Sequence, residues 1–210
     1  MSIFFNRFCR VSVLFLGLLA VAPQTALAAD PVGRVVRQAG HVEARSGAEL
    51  RALRPGAAVF VADRIVTGDD SKVAIRFADG AELSVGAATQ VEISDYVLAA
   101  DRSGIRGRLT LLIGIVRTSL AGLWRDGFEV ETRAAVAALR STDWVTEMTA
   151  GKAAVFVVEG VVAVTGTATS ETVVLRRSDG TDVPVGGAPS APKQWGRNRV
   201  DAVLARTTVP

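Results

Sequence analysis

The chain of 210 residues has one cysteine, Cys9, one histidine, His41, and one tyrosine, Tyr96. Cys9 falls inside an N-terminal segment that reads as an export signal. The exported chain then has no disulfide, no thiol nucleophile and no thiolate metal site. A single histidine removes most zinc-site and triad chemistry, and no Gly-x-Ser-x-Gly elbow is present. Neither an enzyme nor a metal or other cofactor is expected. Charge of one sign is also scarce. The formal net charge is +3, but Arg7 and Arg10 lie in the export segment; without them 22 of the 24 basic residues face 21 acidic ones, a net +1. That balance is no footprint for nucleic acid. Beyond the N-terminus no apolar run approaches the roughly 20 residues of a spanning helix. The longest patches, 109–116 and 153–164, are β-branched and interrupted by glycine, as core strands are. What remains is ordinary globular composition, 49% hydrophobic and 21% charged, which excludes global disorder. The length suits one large domain or two small ones.

Residues 1–28 have the three parts of a bacterial Sec-type signal peptide. Arg7 and Arg10 precede an apolar run from Val11 to Ala22, followed by Pro23 and the small-residue triplet Ala26-Leu27-Ala28. Cleavage is expected after Ala28, leaving Ala29 at the start of a periplasmic or secreted chain with no stable membrane insertion. An uncleaved anchor is the alternative. Twelve helical residues span roughly 18 Å against a hydrocarbon core of about 30 Å, although Arg7 and Arg10 can snorkel.

Alternation and closely spaced turn signals run through the remainder, the pattern of an all-β chain. Strands are expected at 32–36, 41–44, 59–66, 73–77, 81–85, 91–93, 109–116, 128–132, 136–139, 155–158, 161–164, 173–175 and 183–185. Residues 134–140 are Ala-rich and read as either a short helix or an extended crossing. The expected fold is a compact β-roll or solenoid-like wrap of short strands and hairpins, with a β-sandwich as the alternative. It occupies residues 29–187. Residues 100–107 read as an exposed loop, and 186–192 as a linker or a cover for a strand edge. In the tail, 188–210, Trp195 is expected to dock on the core and residues 206–210 to fray.

Parity settles two turns. A two-residue Asp79-Gly80 loop would pair Ile75 with Ser84 and Phe77 with Glu82, placing polar groups on the apolar face. A three-residue loop, Ala78-Asp79-Gly80, pairs Ile75 with Leu83 and Val73 with Val85, with Gly80 in the left-handed position. The same argument at Ser178-Asp179-Gly180 pairs Leu175 with Val183 and gives Gly180 a positive φ. Gly68 closes a third turn, Thr67-Gly68-Asp69-Asp70-Ser71.

Few residues offer chemistry. His41 follows Gly40 and reads as a surface position. Asp69 and Asp70 read as turn acids, since a calcium loop would need Asp-x-Asp-x-Asp-Gly. Glu129 and Glu131 share one strand face and read as solvated, not as a glycosidase pair. Trp124, Trp144 and Trp195 read as core or as a sugar-stacking platform. Arg102, Arg106 and Arg108 form a basic run in a loop.

The ordered motifs resemble the FecR domain. They run from Val32-Gly33-Arg34-Val35 and Gly40-His41-Val42, through Leu53-Arg54-Pro55-Gly56, to Asp63-Arg64-Ile65-Val66-Thr67-Gly68 with Ser71. The series continues with Ile75-Arg76-Phe77-Ala78-Asp79-Gly80, Gly114-Ile115-Val116-Arg117, Phe128-Glu129-Val130-Glu131-Thr132 and Val158-Glu159-Gly160. Arg140-Ser141-Thr142-Asp143 stands where the family has Arg-Gly-Thr, so the backbone there is expected to differ. The resemblance implies scaffold residues without a transferable active site. It further implies a non-enzymatic recognition or signalling module that binds another envelope component, whose identity and binding residues stay open. A structural module contacting peptidoglycan or polysaccharide is the alternative.

Overall fold

A computed structural model describes residues 30–98, 105–119 and 127–210. Ala26, Ala28, Ala29, Arg102 and Trp124 lie outside the described residues. Among the described residues the fold is all-β with one short helix. In chain order the strands are β1 (Gly33–Ala39), β2 (Val42–Ser46), β3 (Glu49–Ala52), β4 (Ala58–Val59), β5 (Arg64–Thr67), β6 (Lys72–Phe77), β7 (Glu82–Val85) and β8 (Gln90–Leu98). The series continues with β9 (Ile105–Ser119), β10 (Phe128–Glu131), β11 (Ala135–Met148), β12 (Lys152–Gly166), β13 (Thr172–Arg176), β14 (Asp179–Pro184) and β15 (Lys193–Gln194). Helix α1 (Arg197–Thr207) ends the chain.

Strand β9 joins the two halves. Along its length it pairs with β8 and β7 of the first half and with β10 and β11 of the second. The first half closes into a small barrel. Strands β1, β6, β7, β9, β8, β5 and β2 follow one another by pairing. The segment after β3 spans the gap: Leu53 N donates to Val42 O (2.9 Å), and Val35 N donates to Ala57 O (2.9 Å). Val35, Val42, Ile65, Ile75, Leu83, Ile93 and Leu111 fill the interior. The same core continues without a break into Phe128, Trp144, Val155, Val164 and Leu175 of the second half.

Two glycines let long strands change partners. In β9, Gly114 has φ +101°, and a Cβ there would lie 2.6 Å from Thr89 Cα. The extra residue reverses the parity. Leu109 and Leu111 before it and Val116 and Thr118 after it are buried with the core, whereas Ile115 belongs to a cluster on the opposite face. Residues 155–158 and 161–164, expected as two strands, are one strand, β12. It bends at Gly160 (φ +93°), beside the register break between Arg140 and Asp143 of β11. Before the bend β12 pairs with β14; after it, with β13.

The first hairpin has the expected register. Ile75 pairs with Leu83 and Val73 with Val85, Phe77 N donates to Ala81 O (2.9 Å), and Gly80 sits at φ +91°. The second hairpin does not exist. Leu175 pairs with Val162 of β12 and Val183 with Ala153, so β13 and β14 lie along different stretches of the same strand. Ser178, at φ +70°, takes the left-handed position. Gly180 lies inside β14, where a Cβ would lie 2.3 Å from the Trp195 ring. Parity misled there because it presumes that strands adjacent in sequence pair with each other.

Other expectations change as well. Residues 59–66 divide into β4 and β5 around a turn at Val61-Ala62. Of the stretch 134–140, residues 135–140 are extended and open β11, and residues 105–107 of the expected loop belong to β9. The C-terminus is not frayed: Thr207 and Val209 are buried, and Lys72 Nζ donates to the carbonyls of Ala205 (2.7 Å) and Thr208 (3.0 Å).

Candidate functional site

The FecR-like motif residues build turns. Asp63 is 1% exposed and holds the β4–β5 turn, its carboxylate accepting from Arg51 Nη2 (2.6 Å to each oxygen) and Phe60 N (2.9 Å). A buried carboxylate needs such a set of donors, and it holds Ala62 at φ +67° beside it. Thr67 Oγ1 donates to Gly86 O (2.6 Å) and accepts from Thr89 N (3.0 Å). Gly68 accepts from Ser71 N and Ala88 N, closing the expected turn. Ser71 Oγ accepts from His41 N (2.8 Å). Each residue satisfies backbone groups that a tight, buried turn would otherwise leave unpaired.

The other candidates stay apart. His41 is exposed, 3.6 Å from Glu43. Asp69 and Asp70 are exposed turn residues. Glu129 and Glu131 face Arg108 of the parallel neighbour β9, with Glu129 hydrogen-bonded to Arg108 Nε. Among the described residues no group of three or more His, Cys, Asp and Glu could hold a metal ion, and no helix is long and apolar enough to cross a membrane.

Trp144 is fully buried, edge-on to Phe128, with Nε1 donating to Thr146 Oγ1 (3.1 Å). Trp195 is buried too, stacked on Phe156 (5.1 Å between centroids) and covered by the Arg199 guanidinium at 3.4 Å. These two indoles make no sugar platform. Asp79 was legible as a turn residue but not as a partly buried acid. Its Oδ1 accepts from Ala81 N (3.1 Å) and the Tyr96 hydroxyl (3.0 Å), and burial pushes its carboxyl above the ordinary range.

Four strands have a single strand partner among the described residues, the two-residue β4 and β15 and the longer β3 and β13. β3 pairs only with β2, and β13 only with β12. Val174 at the centre of β13 is 50% exposed; on β12, Val161 is 40% exposed. By contrast, the tail covers the edge of β14. Ser190 N donates to Asp182 O (3.0 Å), Asp182 N donates to Ser190 Oγ (3.1 Å), and β15 pairs with Asp179 and Gly180.

The class of protein is thus an all-β scaffold whose distinctive polar residues hold turns and whose free surface includes an open, partly apolar edge. Residues 63–163 match the family model described as FecR protein. Two crystal structures of a candidate anti-sigma factor from Parabacteroides distasonis share the fold, each at 18% identity and a TM-score of 0.53. The likeness covers 67% of this chain but only 64% and 63% of theirs. No curated protein matches the chain. At that identity the two structures show a shared fold.

Proposed function

We propose that the chain is exported, cleaved after Ala28, and acts in the periplasm or outside the cell as a non-enzymatic recognition module for another envelope protein. The observation that carries this reading is the open β13 edge. An edge strand with unpaired backbone groups either must be guarded or is used for pairing. β14 is covered by the tail, whereas β13 has no second strand partner beside the exposed Val174, with Arg176 N at its end donating to Asp179 Oδ2 (3.0 Å). An extended segment of a partner can add to such an edge through main-chain hydrogen bonds, with alternate side chains supplying specificity.

Export is tested by the intact mass of purified protein, expected to begin at Ala29; a membrane-bound chain retaining Met1 refutes it. Recognition is tested by placing a photo-crosslinking residue at position 174 in cells. A discrete adduct with one envelope protein is expected there, and none from position 97, which is equally exposed on β8. No adduct, or the same adducts from both positions, refutes the edge reading.

A further inference from the structure

The sheet face formed by β6, β7 and β9 carries a basin that the edge reading does not use. It has a volume of about 440 Å³ and is lined by Arg37, Arg76, Glu82 and Arg117, by the hydroxyl residues Ser84 and Ser119, and by the chain end after α1. Register explains the convergence. Arg76 pairs with Glu82 and Glu82 with Ser119, while Ser84 pairs with Arg117, so these side chains form adjacent rows on one face. Glu82 accepts from Arg37 Nη2 (2.5 Å) on one oxygen and Arg76 Nη2 (3.2 Å) on the other. Asp143 receives Arg117 through Nε (2.8 Å) and Nη2 (2.6 Å).

Three guanidiniums therefore meet two carboxylates. Among the described residues Arg37 and Arg76 each keep Nε and Nη1 without a partner, Arg117 keeps Nη1, and the Ser84 and Ser119 hydroxyls are unpaired. The C-terminal end of α1 borders the basin, and a helix C-terminus disfavours anions. Lys72 takes up the carbonyls of Ala205 and Thr208, offsetting that field and fixing that end in place. Donors held in position before a ligand arrives lose little freedom on binding it.

We infer that this basin binds a compact oxyanion, a carboxylate or a phosphate group, held by the Arg37 and Arg76 forks over the hydroxyl floor. Planar guanidiniums match both groups bidentately, and the polar lining does not suit a lipid chain. The inference does not depend on the β13 reading, because no residue of β13 lines the basin.

The test is an NMR titration of the full mature domain with inorganic phosphate and, separately, glucuronate, at ionic strength held constant with sodium chloride. Saturable shifts of the Arg37, Arg76 and Arg117 side-chain N–H signals are expected. A response to phosphate alone assigns a phosphoryl ligand, and a response to glucuronate alone a carboxylate; either supports the site. The double variant Arg37→Gln/Arg76→Gln is expected to weaken binding at least about tenfold, the loss of charge-assisted forks. Arg54→Gln/Arg177→Gln, which removes the same charge elsewhere, should leave binding unchanged. Unsaturable shifts, shifts spread over all arginines alike, or equal weakening in both double variants overturn the proposal. The wild-type titration decides the matter even if a variant fails to fold.

Discussion

Replacing Gly180 by alanine probes how the C-terminal segment is held. The glycine lies within β14, and a Cβ there would approach Trp195 Cε2 and Nε1 to 2.3 Å and Cζ2 to 2.8 Å. Contacts that short do not occur, and the near atoms belong to a rigid ring. That ring is fixed from its other sides by Phe156, at 5.1 Å, and by the Arg199 guanidinium. If the ring shifts slightly and keeps its stacking, the cost is that of ordinary overpacking, about 1–3 kcal/mol. If the ring is expelled, the loss approaches the burial of an indole, about 200 Å² at roughly 25 cal/mol/Å², or about 5 kcal/mol. Urea unfolding is therefore expected to show a loss of about 1–5 kcal/mol for Gly180→Ala. A double-mutant cycle isolates the cause. With Trp195→Ala already in place the ring is gone, and adding Gly180→Ala should cost close to nothing, a coupling of about 1–3 kcal/mol or more. If Gly180→Ala costs the same with and without the indole, close approach is not the reason for the glycine.

Gly80→Val is expected to lose about 1 kcal/mol or more in thermal unfolding and Gly80→Asn less, since the space around Gly80 is open and only its φ of +91° resists a side chain; equal midpoints for the three proteins refute this. Asp182 is held down to about 2, chiefly by hydrogen bonds from Arg199 and also from Lys152, against the opposing effect of burial. Its folded pKa lies below the ordinary 3.8, so its contribution is complete above about pH 4 and fades as pH falls toward 2. After allowance for solvent screening this is about 1 kcal/mol. Asp182→Asn should therefore be less stable than the parent at pH 6, and the gap should narrow by pH 2; a gap independent of pH refutes the ion-pair account. Truncation after Val185 bares Ile115, Val145, Ala154 and Phe156, and light scattering is expected to show self-association. A truncated chain that stays monomeric and equally stable would mean that the tail covers nothing.

The legible parts of the fold were those where local sequence and pairing coincide. At 73–85 alternation, a polar turn and a left-handed glycine lie in one short stretch, and together they fix the register. Where a strand takes its partners from elsewhere, as β12 does with β11, β13 and β14, short-range parity carries no information about which edge is paired. The bend at Gly160 likewise reads as a turn until the continuous ladder across β11 is known.

Helix α1 was present in the sequence as a faint signal. Val200, Val203, Leu204 and Thr207 follow the i, i+3, i+4, i+7 spacing, and Trp195 and Val200 flank Gly196 at the positions of a hydrophobic staple. Three large apolar residues among four charged ones are too few to outweigh the surrounding β pattern. A second signal lay in β12 itself. From Ala153 to Val157 every residue is buried, whereas from Val161 onward burial alternates. An unbroken apolar run in an antiparallel sheet implies that both faces are covered. The outer face of that stretch, with Ala154 and Phe156, had to meet something, and Trp195 and Val203 meet it. The basin could not have been read in the same way. Its arginines come from β1, β6 and β9, and only the fold brings them together around Glu82. Charges that converge on a surface leave no periodicity in the chain, because nothing but register relates them.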